Sequence, residues 1–210
     1  MSSKRQETKD RREQHSVEWC AKWHSRRTGA QFYVLPRGNH NEPPDGFIAS
    51  KLTTRWVEVV SATMGNTWDR YSYEVGDGLP GKLPNGMIDL DDVSTRRQDE
   101  LQNALKGASG NPHNVFARET IARIKNKLCK TSYQPLFDKY GYGLLVVNAF
   151  YAHFSPHALL YLKREAISNS VTFEGTLFTD GVILMNPYHT NIQIGLRTIV
   201  SRCKSPVRSG

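Results

Sequence analysis

Apolar side chains recur along this chain with two different spacings, which separate predicted helices from predicted strands. Helical spacing and helix-capping residues indicate helices at residues 3–27, 91–106, 114–130 and 155–167. Short alternating or continuous apolar runs indicate strands at residues 31–35, 47–49, 55–61, 143–149, 182–186 and 192–200. This order of elements predicts an α/β protein with a mixed central β-sheet and helices packed against it.

The length of 210 residues suits a single domain with a hydrophobic core. We assign that domain to residues 15–200, after a basic arm at 1–14 that can be disordered and before a basic tail at 201–210. Within the domain, a flexible loop and a polar helix form an insertion at residues 76–112, where the loop is rich in glycine and proline.

One predicted strand contains a glutamate among apolar neighbours. Strand alternation puts Trp56, Glu58 and Val60 on one face of the sheet. A glutamate in this setting is costly to bury unless it is protonated, paired or bound to a cation. Two ordinary interpretations stay open, an exposed Glu58 on an edge strand or a structural ion pair with Arg55 or Lys51.

A second carboxylate, Asp45, stands thirteen positions before Glu58. Pro44-Asp45-Gly46 is favourable turn chemistry in itself, because proline presets φ and aspartate bonds the local backbone. If Asp45 instead ends a strand beside that of Glu58, the two carboxylates converge and form a site for a hard cation. The pair is therefore a candidate metal site.

The charge balance favours an acidic partner. The formal net charge is +8 and the sequence pI is about 9.5, which is typical of many proteins that bind nucleic acid. The helix at 114–130 carries five basic residues and a single carboxylate, Glu119. A solvated helix face would have the same pattern, and that interpretation stays open. The candidate nucleic-acid contacts are Arg118, Arg123, Lys130, Lys51 and Arg55.

Cysteine spacing and the lack of a signal or membrane segment indicate the compartment. Cys20, Cys129 and Cys203 include no Cys-x-x-Cys pair, which excludes a disulfide scaffold and a zinc ribbon. The first ten residues lack the apolar core of a secretory signal. No run reaches the roughly 18 apolar residues of a membrane span. We therefore expect a cytoplasmic protein.

Pro44-Asp45, a short spacer and Glu58-Val59-Val60 in an apolar strand resemble the motif of the PD-(D/E)XK nuclease superfamily, which has the restriction-endonuclease-like fold. The resemblance covers about residues 15–150. It includes a helix with an acidic residue, Glu18, then a β-meander with both carboxylates, and a basic helix before a buried strand.

The resemblance implies an endonuclease that depends on magnesium or manganese and hydrolyses phosphodiester bonds, in DNA in preference to RNA. Asp45 and Glu58 would be metal ligands, with the Val59 carbonyl as a third ligand and Glu18 as an outer or second-metal partner. Divalent cations offset the charge that builds on the phosphate and lower the pKa of bound water. A homodimer is a further expectation, because such dimers are common where two strands must be cut.

The chain departs from the family motif at one position. Val60 stands where the family has a lysine that steers the attacking water. Either the lysine has moved, with Lys125, Lys127 and Lys51 as candidates, or the site has lost its catalysis. In the second case the chain would be a non-catalytic nucleic-acid-binding protein. A third hypothesis is a structural or regulatory protein-interaction domain whose positive charge is incidental.

Overall fold

The computed structural model of this chain describes residues 4–36, 43–62, 112–149, 158–185 and 192–200. The loop and polar helix predicted for residues 76–111 and the tail predicted for 201–210 lie outside the described residues. The domain boundaries that depend on them stay predictions.

Four α-helices and six strands make up the described part of the chain. The helices are α1 (Lys4–Thr28), α2 (Pro112–Leu128), α3 (Gln134–Tyr140) and α4 (Ala158–Ser168). The strands are β1 (Tyr33–Val34), β2 (Gly46–Ala49), β3 (Thr54–Ser61), β4 (Gly143–Ala149), β5 (Phe178–Met185) and β6 (Ile192–Gly195). Single turns of 3₁₀-helix cover Thr131–Tyr133 and Leu196–Thr198.

The six strands form one sheet in chain order from β1 to β6. The first three strands are an antiparallel meander, β3, β4 and β5 run parallel, and β6 returns antiparallel to β5. A parallel pair needs a crossover connection, and α2 lies in the connection between β3 and β4. The predicted α/β class with a mixed, helix-flanked sheet is confirmed.

Helices cover both faces of the sheet. On one face, the buried stripe of α1, which includes Val17 and Cys20, packs against Val57 and Val59. On the other face, α2 and α4 pack against the side of the sheet that carries Trp56. Because successive strand residues point to opposite faces, the predicted alternation along β3 is confirmed.

Two contacts hold α1 in place along the sheet. Asn148 near the end of β4 donates a buried hydrogen bond of 2.7 Å from Nδ2 to Ser16 Oγ. At the start of β2, a Cβ added to Gly46 would lie 2.7 Å from Val17 Cγ2. Glycine at position 46 therefore permits the close approach of α1 beside Asp45.

Two elements differ from the sequence prediction, whereas the helix predicted for residues 3–27 is present as α1 and includes residues 4–14 of the basic arm. The strand predicted at 192–200 ends at Gly195, because Leu196, Ile199 and Val200 turn into the core at helical spacing. Helix α3 is missing from the prediction, since its seven residues are too few to display a helical apolar period.

Among the described helices, none is both long enough and apolar enough to cross a membrane.

Candidate active site

The pairing of β2 and β3 brings the two candidate carboxylates side by side. The strands are antiparallel, with Gly46 opposite Val57. Extending this register by one residue puts Asp45 opposite Glu58. Residues directly opposite in an antiparallel pair project from the same face, with Cβ atoms about 4.5–5.5 Å apart. The acidic pair therefore lies on the face that α2 covers.

Asp45 is tied to the neighbouring strand. The backbone N–H of Val59 donates a hydrogen bond of 2.7 Å to Asp45 Oδ2. In an extended strand the N–H and C=O of one residue point the same way, so the Val59 carbonyl is directed toward Asp45 as well. Turn chemistry alone does not account for this aspartate, because its carboxylate reaches across to β3.

Glu58 is buried in an inner strand and paired. Only 3% of its surface is exposed, which rules out the interpretation as an exposed residue on an edge strand. Its Oε1 contacts Lys127 Nζ and accepts a hydrogen bond of 2.9 Å from the Tyr133 hydroxyl. The ion-pair partner is therefore Lys127, and the alternatives Arg55 and Lys51 are wrong.

The second carboxylate oxygen of Glu58 has a different environment. Within the described ranges of the chain, Oε2 is buried and has no hydrogen-bond partner. A buried acceptor without a donor costs about 1–3 kcal/mol. Such an atom calls for an explanation, and a bound ion or water is one.

Lys127 is the predicted lysine that lies beside Glu58, and 24% of its side chain is exposed. Lys125 is exposed, and residues two apart on an α-helix are rotated by about 200°, so it projects from the other side of α2. Lys51 is exposed in the turn of the β2–β3 hairpin, at the end opposite Asp45. Of the three candidates for the moved lysine, Lys127 alone meets the carboxylate.

Tyr133 belongs to this site, although no sequence pattern indicates it. The residue is 1% exposed, in the 3₁₀ turn after α2. Burial raises the pKa of Tyr133, and the charge and hydrogen bond of Glu58 and the charge of Asp45 raise it further. The phenol therefore stays protonated and donates. A buried tyrosine normally finds a partner for its hydroxyl, but the partner is not evident from spacing.

The carboxylate that α1 turns toward the sheet is not the predicted one. Glu18 is exposed, and its Oε1 accepts a hydrogen bond of 3.2 Å from Gln14 Nε2. Glu13 is 9% exposed and stands one turn before Val17, on the stripe that contacts the sheet. It also pairs with Lys9 at 3.5 Å. A metal role for Glu18 stays a prediction, and Glu13 is the α1 carboxylate on the buried side.

Two of the predicted nucleic-acid contacts flank Lys127 in the chain, one on α2 and one just after its end. Arg123, one helical turn earlier, donates from a guanidinium nitrogen to the Ser61 carbonyl at 3.4 Å. Lys130, three residues later, places Nζ 5.8 Å from the centre of the Tyr133 ring. Arg123 thus contacts the end of β3, and Lys130 lies over the ring of the tyrosine that donates to Glu58.

The other predicted contacts lie elsewhere. Arg118 is exposed five residues before Arg123 and pairs with Glu119 at 3.7 Å. Arg55 points to the α1 face and donates to the Tyr142 carbonyl at 3.2 Å. Lys51 occupies the hairpin turn. The five residues therefore do not form one surface, and their binding roles stay predictions.

The residues that could hold the predicted magnesium or manganese ion are few. No group of three or more His, Cys, Asp or Glu side chains arranged to hold a metal occurs in the part of the chain that the structure describes. Magnesium usually needs fewer, because it is bound through one or two carboxylates and keeps several waters or phosphate oxygens. Asp45, the Val59 carbonyl and the unpartnered Oε2 of Glu58 are the oxygen atoms that could supply such ligands.

Comparison with protein-family models, with curated proteins and with solved structures finds no match to this chain.

Proposed function

We propose that this protein is a nuclease that depends on magnesium or manganese, has the restriction-endonuclease-like fold, and hydrolyses phosphodiester bonds in DNA. One observation carries the proposal. Asp45 and Glu58 are neighbours across two strands, and Lys127 contacts the buried Oε1 of Glu58. Two acids and one lysine are the residue types that the chemistry requires.

The order of elements supports the proposal. Helix α1 precedes an antiparallel meander that carries both acids, and the basic helix α2 precedes β4, which is parallel to β3. This is the order that the resemblance to the PD-(D/E)XK superfamily implies. Val60 lacks a polar group, and Lys127 supplies the missing cation from α2 to the same glutamate.

Each side chain has a chemical task. Asp45, Glu58 and the Val59 carbonyl would hold the metal, which when bound offsets negative charge on the phosphate and lowers the pKa of a coordinated water. The Lys127 ammonium has three donors, so it can hold Glu58 and also orient a water or a phosphate oxygen. The Tyr133 hydroxyl keeps the Glu58 carboxylate in position. Arg123 and Lys130 would draw the polyanion to this face.

Plasmid cleavage tests the proposal. Supercoiled DNA is incubated in Mg²⁺, Mn²⁺ or EDTA with the native protein and with Asp45→Asn, Glu58→Gln or Lys127→Met. Lys163→Met, at an exposed lysine on α4, is the matched control for charge. We expect the native and control proteins to cleave only when metal is present. The cleavage rate of the three site variants should be lower by about 10²–10³-fold.

Two results would remove the catalytic claim. One is no cleavage of DNA or single-stranded RNA by the native protein in either metal. The other is cleavage that EDTA and all three site substitutions leave unchanged, because this would identify a contaminating enzyme. Faster cleavage of RNA than of DNA would support phosphodiester hydrolysis but identify RNA as the preferred substrate.

A second candidate function is non-catalytic binding of nucleic acid. The observation that favours it is that Lys127 compensates the buried charge of Glu58 without any metal. This candidate predicts salt-sensitive binding of oligonucleotides in EDTA, kept in Glu58→Gln and weakened in Arg123→Ala. The absence of any oligonucleotide binding near physiological salt would instead favour a protein-interaction domain.

A further inference from the structure

A cavity lies on the α1 face of the sheet, opposite the face that carries Glu58. Its volume is about 580 Å³, between α1 and the edge strand β6. The cavity is lined by Trp19, Trp23, Arg26, Arg27 and Gln193. Gln193 is directed to this face because it pairs with Leu184 of β5, a member of the cluster under α1. Two indoles, two guanidinium groups and an amide thus surround one space.

The aromatic walls are held in fixed positions. Trp19 Nε1 donates a hydrogen bond of 2.8 Å to His15 Nε2 one turn earlier on α1. Trp23 is 9% exposed and belongs to the core cluster under α1. Gly195 packs against Trp23, since a Cβ there would lie 3.8 Å from Trp23 Cζ2, and Arg27 lies over the Trp23 ring with Cζ 5.4 Å from its centre. The half-buried Trp19 indole is therefore the ring that suits the stacking of a planar ligand.

The cations at the cavity differ in their pairing. Arg27 forms a salt bridge of 2.7 Å with Asp180, so its charge is compensated. Arg26 is exposed, and Lys22, also exposed, places Nζ 5.0 Å from the centre of the Trp19 ring. Neither of these two forms a salt bridge to a carboxylate within the described residues. The cavity therefore has positive charge available for an anionic ligand.

Gln193 contributes an unused donor. Its Nε2 is buried and has no acceptor among the residues that the structure describes. A buried amide donor without an acceptor is unfavourable, and a ligand carbonyl, ring nitrogen or phosphate oxygen would relieve it.

We infer that this cavity binds a nucleotide unit of single-stranded nucleic acid. The base stacks on the Trp19 indole, Gln193 donates to the base or sugar-phosphate, and Arg26 and Lys22 contact phosphate. The volume lies within the range of about 300–1,000 Å³ for ligand pockets. Stacking platforms combined with cations are typical of proteins that bind single strands. An acidic peptide would use the cations but leave the indoles without a planar partner.

The test measures by fluorescence anisotropy the binding of a fluorescein-labelled oligothymidylate of twelve nucleotides. All proteins carry Glu58→Gln and are assayed in EDTA, so that cleavage does not interfere. Trp19→Ala is expected to weaken binding by about 5- to 150-fold. Arg26→Ala is expected to weaken it and to reduce the salt dependence by about one phosphate contact. Arg164→Ala, at an exposed arginine on α4, is the control and should bind normally.

Arg26→Ala keeps the test decisive if Trp19→Ala disturbs α1, because an exposed arginine is not needed for folding. The inference is overturned if no oligonucleotide binds, if Arg26→Ala and Arg164→Ala bind equally, or if polyglutamate displaces the oligonucleotide as well as unlabelled DNA does. Plasmid cleavage is a separate readout. If the native protein does not cleave DNA but binds the oligonucleotide through Arg26, the nuclease proposal alone is refuted. If it cleaves DNA but its binding does not depend on Arg26, the binding site alone is refuted.

Discussion

The Tyr133 hydroxyl donates a hydrogen bond of 2.9 Å to the same oxygen of Glu58 that contacts Lys127. The carboxylate therefore has two donors on Oε1, while Oε2 has no hydrogen bond from the described residues. Tyr133 and Lys127 hold one oxygen in place, and the other would be the metal ligand of the proposed site. A side chain held in this way pays less entropy when it binds a metal.

Replacing Tyr133 with phenylalanine removes the hydroxyl and keeps the ring between Trp56 and Phe178, whose centres lie 5.3 and 5.6 Å away. The lost hydrogen bond is to a charged group, so we expect the free energy of unfolding to fall by about 1.5–3 kcal/mol. We also expect the metal concentration for half-maximal cleavage to rise about 10- to 100-fold. Urea unfolding and metal titrations measure the two effects. Unchanged metal dependence would give Tyr133 a purely structural role.

Removing either member of the Lys127–Glu58 pair should have unequal effects on stability. Lys127→Met leaves a buried carboxylate without its cation, and we expect a loss of about 3 kcal/mol. Glu58→Gln leaves a lysine that is 24% exposed and can reach water, so its cost should be smaller. The double variant should recover part of the loss, which a double-mutant cycle in urea would measure. A greater loss in Glu58→Gln than in Lys127→Met would contradict this account.

Tyr133 also links stability to alkaline pH. Burial and Glu58 raise the pKa of Tyr133 above its ordinary value of 10.0. The folded protein therefore holds the phenolic proton more tightly than the unfolded chain, and this stabilisation is fully present below about pH 10 and lost as the pH rises further. We expect the free energy of unfolding to fall from about pH 10 upward, with a smaller slope in Tyr133→Phe. Denaturant unfolding between about pH 8 and 11 compares the two proteins, and equal slopes would argue against the linkage.

Gly46→Ala should disturb both the fold and the acidic site. The new Cβ would lie 2.7 and 2.9 Å from the two γ-carbons of Val17, which is a branched side chain with little freedom to move. We expect a loss of about 1–3 kcal/mol in the free energy of unfolding and reduced cleavage, because Asp45 is the adjacent residue. Adding Val17→Ala should restore part of the stability by making room. If the double variant is less stable than Gly46→Ala alone, the contact is not the cause.

The parts of the site that follow from local patterns could be predicted from the sequence. Alternation along β3 placed Glu58 on the same face as Trp56, and the structure agrees. The same alternation puts Arg55 on the opposite face, so it could already have excluded Arg55 as the partner of Glu58. The sequence leaves Lys125, Lys127 and Lys51 as candidates for the moved lysine. The choice between the two on α2 depends on which side of that helix docks onto the sheet.

The remaining parts depend on contacts that no local spacing records. Tyr133 stands in a single 3₁₀ turn, where there is no repeating pattern to reveal its burial. Glu18 is the predicted acidic residue of α1, whereas Glu13 precedes Val17 by four residues and Cys20 by seven and so lies on the buried stripe. The cavity at Gln193 arises only when β6 returns antiparallel beside β5.

Glu58 and Lys127 are separated by 69 positions in the chain. Proteins are synthesised from the N-terminus, so the hairpin with both acids leaves the ribosome well before the lysine that completes the site. A nascent chain or a premature-stop product that ends before α2 would carry the acid pair without its cation. For the proposed nuclease, hydrolysis would therefore begin only after α2 has been made and docked.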